Sequence, residues 1–387
     1  MFRHAEFFAE NGITEHFFAG EASPAGSFKE EAEALLAEYI SSAARHGCSL
    51  ESEMLLRFHL SDITNQAPFL KELLNGKSSF ISIVGQPPAN GGRIALEAWH
   101  WCGGKLKQMQ EGVLEVVLKN YKVLWFKTPD PVVSDSAKQT VYEFESLKRG
   151  LSVYNATVEA NTVRTWLYCR DVDNNYAGLV MARNEFFAGN GLSTSTHFIA
   201  STGIEGQMEK PSRLVKMDSL NYTDLRQGQQ IYNNQQKQKN KTQGQQIYLS
   251  APEMLSPTAL YGVSFERGTR LVLGDRSHYF ISGTASIDSR GQVVHPYDVT
   301  KQTERLVDNV AALLESSAGT LSDLKWATVY LRDPADAALV RNVLVKRLPP
   351  ELPFVIVRAP VCRPAWLVEM ECVAVNHQGN PAFAPLS

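Results

Sequence analysis

Apolar positions recur at helical spacing three times along the chain, and each time the stripe gives way to a short run rich in β-branched and aromatic residues. Phe28, Ala32, Leu35, Leu36, Tyr39 and Ala43 form the first stripe, leaving Glu30, Glu33 and Glu38 for solvent. Ala137, Val141, Phe144, Leu147 and Leu151 form the second, and Val299, Leu306, Val310, Leu313 and Leu314 the third. Ser27, Ser136 and Asp298 stand where helix N-caps belong, and Gly47 and Gly319 where the first and third helices should stop. The runs that follow, MLLRFHL, VRTWLYC and WATVYL, read as strands closed by Asp62, Asp171 and Asp333.

The likeness extends beyond these pairs. EHFFAGEAS before the first helix echoes HYFISGTAS before the third, while GGRIALEAWHW, RLVKMDSL and WLVEMECVAV occupy comparable places as closing strands. A duplicated unit of this size is a small domain and not a solenoid repeat. The chain divides into residues 1–104, 105–250 and 251–387, each an α+β unit whose helix covers one sheet face. The bare face of each unit needs a partner. The simplest is the equivalent face of its neighbours, so three tandem units are expected to close into an intramolecular pseudo-trimer. Residues 227–248 of the second unit, in which GQQIY occurs twice, are Gln-, Asn- and Lys-rich and are expected to form a surface loop or linker inserted in that unit.

Composition narrows the function classes. With 44% hydrophobic and 20% charged residues the chain has enough apolar mass for substantial cores. A net charge of -3 supplies no general attraction to nucleic acid or to anionic lipid. No run approaches membrane-spanning length, and MFRHAEFFAENGITEHFF lacks the continuous apolar core of a secretory signal, so a cytoplasmic protein is expected. The five cysteines form no CxxC pair and the nine histidines no metal-spaced cluster, so neither a disulfide framework nor a metal is expected. P-loop, GxGxxG, HExxH and GxSxG motifs are absent, and no cofactor is expected.

The densest chemistry lies in APVCRPAWLVEMECVAV, Ala359 to Val375. On a strand, Glu369 and Glu371 share one face about 7 Å apart, and Arg363 enters just before them. A guanidinium fork holds a carboxylate in two hydrogen bonds, and a desolvated carboxyl crowded by its twin keeps its proton at neutral pH and can act as an acid. The plainer alternative is an edge strand whose glutamates face water, with Arg363 paired to one of them. Cys362 reads equally well as a small buried hydrophobe. In the second unit Arg164, Trp166 and Tyr168 alternate along a strand, which suits either a cleft or ordinary core.

The run FISGTASIDSRGQVVHPYDVTKQTERLVDNVAALL, followed by WATVYLRD and CRPAWLVEMECVAV, resembles the RidA (YjgF/UK114, L-PSP endoribonuclease) superfamily. That resemblance implies chorismate-mutase-like units, ligand sites between them, and an arginine at the position of Arg363 that grips a substrate carboxylate. With the trimer internal, a monomer is expected. Within the superfamily, Cys362, Arg363, Leu367, Val368, Glu369 and Glu371, together with Arg164, Trp166 and Tyr168, are similar to motifs of the chorismatase family. Chorismatases hydrolyse the enolpyruvyl ether of chorismate to pyruvate and a ring acid, which implies a small carboxylate substrate. The same resemblance implies Glu369 as proton donor and Ala285 as a position that sets the product. One departure is LSPTALYGVSFERG, where chorismatases carry an Arg- and Pro-rich segment; it leaves Arg267 and Arg270 as the nearby cations. Enamine or imine hydrolysis of the RidA type, and metabolite binding without turnover, are the competing readings.

Overall fold

The computed structural model describes residues 2–9, 12–110, 112–225 and 244–386. Three mixed sheets carry the three units. The first runs β1 (Arg3–Phe7), β2 (Thr14–Glu21), β5 (Ile94–Cys102), β3 (Glu53–Leu60) and β4 (Phe80–Gly85) from edge to edge. The second runs β10 (Ala200–Glu205), β9 (Thr162–Cys169), β11 (Val215–Tyr222), β8 (Lys122–Lys127), β7 (Val113–Val117) and β6 (Leu106–Gln110). The third runs β12 (Gln245–Tyr248), β13 (Gly268–Val272), β14 (Ser277–Ala285), β17 (Val368–Asn376), β15 (Leu324–Leu331) and β16 (Phe354–Arg358).

The repeat is visible in the pairing. β3 with β4, β9 with β10, and β15 with β16 are the parallel pairs, and β5, β11 and β17 lie antiparallel beside the first member of each. A parallel pair needs a crossover, supplied by α2 (Ile63–Leu73), α5 (Val172–Gly189) and α7 (Ala337–Arg347). The other long helices, α1 (Phe28–Arg45), α3 (Ser136–Ser152) and α6 (Val299–Glu315), start at side-chain caps, and a single turn, α4 (Val158–Asn161), precedes β9. Ser27 accepts from the Glu30 N–H, Asp135 from Lys138 and Asp298 from Lys301. Thus Asp135, not Ser136, caps the second helix. Its stripe is also shifted from the expected one: Val141 is exposed, while Thr140 and Glu143 are buried beside the expected Phe144, Leu147 and Leu151. After α6 the left-handed residue is Ala318, not Gly319.

Gln245–Tyr248, the last four residues of the Gln-rich tract, are not loop. They pair antiparallel with β13 and extend the third sheet. The rest of that tract, residues 227–243, lies outside the described residues.

The inner faces of the sheets meet around a common axis. Glu371 of the third unit receives hydrogen bonds from Arg57 of the first (3.2 Å), from Arg164 of the second (2.8 Å) and from the Trp166 indole (2.8 Å). Glu97 of the first unit accepts from Trp326 and Thr328 of the third, each at 2.7 Å. The Arg57 guanidinium lies over the rings of Trp166 and Trp326, 4.8 and 5.2 Å from their centroids. Charges this deep persist only when paired and hydrogen-bonded, so these contacts fix how the units sit against one another.

Candidate functional site

The register places equivalent residues around that axis. Tyr330 lies opposite Glu369, Tyr168 opposite Lys216, and His59 opposite Ala95. Glu369, Lys216 and Ala95 therefore occupy one position in three copies. Two residues on, Glu371, Asp218 and Glu97 face Thr328, Trp166 and Arg57.

Glu369 opens into a cavity of about 390 Å³ at the seam of the second and third units. Tyr176, Val180, Met181 and Arg183 of α5 and Thr202 and Gly203 of β10 form one wall. Tyr261, Phe265 and Arg267 before β13, Gly283 and Ala285 of β14, and Cys362, Arg363 and Trp366 before β17 form the other. The volume and the apolar lining with a few convergent polar groups suit a small organic ligand.

Three guanidiniums line this cavity. Arg267 is held by two hydrogen bonds to the Ser256 carbonyl (3.1 and 2.8 Å). Arg363 is sandwiched by Tyr261 and Trp366, with ring centroids 4.6 and 5.2 Å away. Arg183 is almost wholly buried, and its Nε and one terminal nitrogen have no hydrogen-bond partner. A buried guanidinium left short of acceptors is poised to receive an anion.

The two glutamates of β17 are both buried, so the water-facing edge strand does not hold. They sit in unlike surroundings. Glu371 lies behind the cavity, ion-paired to Arg57 and Arg164. Among the described residues no hydrogen bond reaches Glu369. Burial, reinforced by repulsion from Glu371 and only partly opposed by Arg267 and Arg164, pushes its pKa from 4.5 up to about 8. Space for it comes from Gly283, where an added Cβ would collide with Glu369 Oε1. Ala285 is its register partner on β14. Burial also pushes the Cys362 thiol up to about 12, which suits a packing role better than a nucleophile.

Of the sequence-predicted residues, Glu369, Arg363, Cys362 and Ala285 line one cavity. Glu371, Arg164 and Tyr168 do not. Glu371 and Arg164 neutralise each other at the axis, Arg164 also donating to Ser282 Oγ (3.3 Å). Tyr168 points toward the opposite seam, where the Lys216 ammonium lies 5.2 Å from its ring centroid. The second unit contributes Arg183 in their place, a residue that lies outside the sequence motifs. Its signal was present: Leu179, Ala182, Arg183 and Phe186 form one buried helical stripe with a lone charge in it.

Comparison with known proteins agrees with the fold. Residues 271–376 match the family described as endoribonuclease L-PSP. Over 96 residues the chain is 29% identical to the 3-aminoacrylate deaminase RutC of Acinetobacter baylyi, a match spanning 24% of this chain and 76% of that protein. The crystal structure of a chorismatase superposes with a TM-score of 0.64, covering 95% of this chain and 100% of the other at 18% identity.

Proposed function

We propose that the cavity between the second and third units hydrolyses chorismate or a related enolpyruvyl carboxylate, releasing pyruvate, a reading supported by the chorismatase-like fold and by the match of residues 271–376 to the endoribonuclease L-PSP family. The observation that carries this reading is Glu369, a buried carboxyl without a hydrogen-bond partner among the described residues, facing a cavity lined by Arg183, Arg267 and Arg363. A carboxyl with a pKa near 8 is protonated at neutral pH, as a general acid must be. Glu369 delivers its proton to the terminal methylene of the enol ether, leaving a methyl group and an oxocarbenium carbon. Water adds to that carbon and returns a proton to the Glu369 carboxylate. The hemiketal then collapses to pyruvate and the ring alcohol, so atoms and charge balance. The cationic intermediate is favoured by the newly formed Glu369 carboxylate, while the guanidiniums hold the carboxylates of the substrate.

Incubation with chorismate and measurement of pyruvate tests the proposal. Glu369→Gln is expected to lower kcat by about 10²–10⁴, with the wild-type rate falling as pH rises through about 8. Absence of pyruvate from the wild type, or full activity of Glu369→Gln, overturns it. The similarity of part of the chain to a 3-aminoacrylate deaminase favours a second reading, hydrolysis of an enamine or imine held by Arg363. That activity would survive Glu369→Gln and be lost in Arg363→Ala.

A further inference from the structure

Far from the cavity in sequence, the first unit gathers thiols and imidazoles that the chain order keeps apart. Cys48 follows the end of α1, reached through Gly47 at φ +71, and Cys102 is the last residue of β5. Although 54 positions separate them, their sulfurs lie 3.7 Å apart as free thiols. A ligand nitrogen of His16, on β2, and the two sulfurs all lie within 4.8 Å of one another. Beyond His16 stands His4 of β1, its Nε2 3.1 Å from His16 Nδ1.

We infer that Cys48, Cys102 and His16 bind a zinc ion in the first unit, with His4 orienting the His16 ring through its Nε2. The spacing argues for a metal over a disulfide. Two sulfurs in a disulfide are about 2.05 Å apart, whereas two thiolates each about 2.3 Å from a tetrahedral zinc stand about 3.75 Å apart. Thiolate with imidazole is a donor set that selects zinc over magnesium or calcium, which take oxygen. Burial supports a closed site: Cys48 and His16 are buried, Cys102 and His4 half-buried. The His46 ring stacks on His4 at 3.6 Å between centroids and fixes its plane. Glu6 Oε2, 3.6 Å from His16 Nδ1, is the neighbouring carboxylate.

The position of the site gives it a structural role. It ties β1, β2 and the end of α1 to Cys102, after which the chain passes directly to β6 of the second sheet. None of the three ligands, nor His4, lines the cavity of Glu369. Zinc here therefore holds the first unit together at its junction with the second and takes no part in turnover.

The test uses the full chain, reduced and stripped with a chelator, then titrated with cobalt(II) chloride followed by zinc chloride. One equivalent of cobalt should give a thiolate-to-metal charge-transfer band, which one equivalent of zinc bleaches while raising the melting temperature. Cys48→Ser and Cys102→Ser should abolish the band and weaken zinc binding by more than about 100-fold, with His4→Ala weakening it about 10–100-fold. The wild-type band needs no variant, so a misfolded variant, visible by circular dichroism, does not decide the question. A wild type with no thiolate band, zinc binding indifferent to both cysteine variants, or a Cys48–Cys102 disulfide forming readily in a protein that takes no zinc when reduced would overturn the inference.

Discussion

The seam between the second and third units and the seam between the first and second are built from equivalent strands, yet one presents an acid and the other an amine. Glu369 faces the former; Lys216, at the same register position, faces the latter, a cavity of about 590 Å³. Around Lys216 stand Lys71, Lys127, Lys210 and Arg213. Three of these cations are matched by surface carboxylates, Lys71 by Glu209, and Lys210 and Arg213 by Asp130. Lys216 itself donates to Ser82 Oγ (2.7 Å) and pairs with Asp218 at 3.3 Å. At the third seam the position holds Ala95, and Arg341 of α7 clasps Glu21 of β2 at 2.7 Å. One scaffold thus occurs three times, and the residue at this strand position differs at each seam.

The largest effect that would break this comparison is expected at Glu371, which serves the axis and not the cavity. Glu371→Ala leaves Arg57 and Arg164 without their shared carboxylate and should cost about 3–5 kcal/mol in stability. Denaturant titration measures it, and a neutral result would mean that the axis is not held by this cluster. A smaller effect should separate the seams by function. Arg183→Ala removes one charge-assisted grip worth about 1.5–3 kcal/mol and should lower kcat/KM for pyruvate release roughly 10–100-fold. Lys216→Met, facing the other cavity, should leave that parameter within about twofold.

The gentlest test is the pH dependence of folding, where the two seams have opposite slopes. Glu369 binds its proton more tightly folded than unfolded, so its contribution is fully present below pH 4.5 and is lost as pH rises to about 8. Lys216 is the reverse. Burial lowers its pKa from 10.5 to about 8, so the folded state loses the proton first and stability rises across that interval. Melting curves should show the acid-to-neutral decline flattened in Glu369→Gln and the alkaline gain flattened in Lys216→Met. Equal slopes in both variants and wild type would show that the two groups are solvated alike.

Helical stripes, the strands closed by Asp62, Asp171 and Asp333, and the threefold repeat were legible in the sequence, because periodicity and capping are local properties. So was the alternation that puts Glu369 and Glu371 on one face. Spacing and residue type could not tell these two carboxylates apart: Arg57 and Arg164, which pair with Glu371, and the cavity wall of α5 and β10 that faces Glu369 come from other units. For the same reason the motif of Arg164 and Tyr168 was readable while its destination was not: Arg183, not Arg164, lines the cavity. Cys48, Cys102, His16 and His4 were visible as residue types, but only β1, β2, β5 and the end of α1 packing together brought their donor atoms into reach. The chain itself determined the units and the residues each strand carries; the closure of the three sheets decided which charges were neutralised at the axis and which were left facing a cavity, since desolvation and pairing depend on neighbours in space.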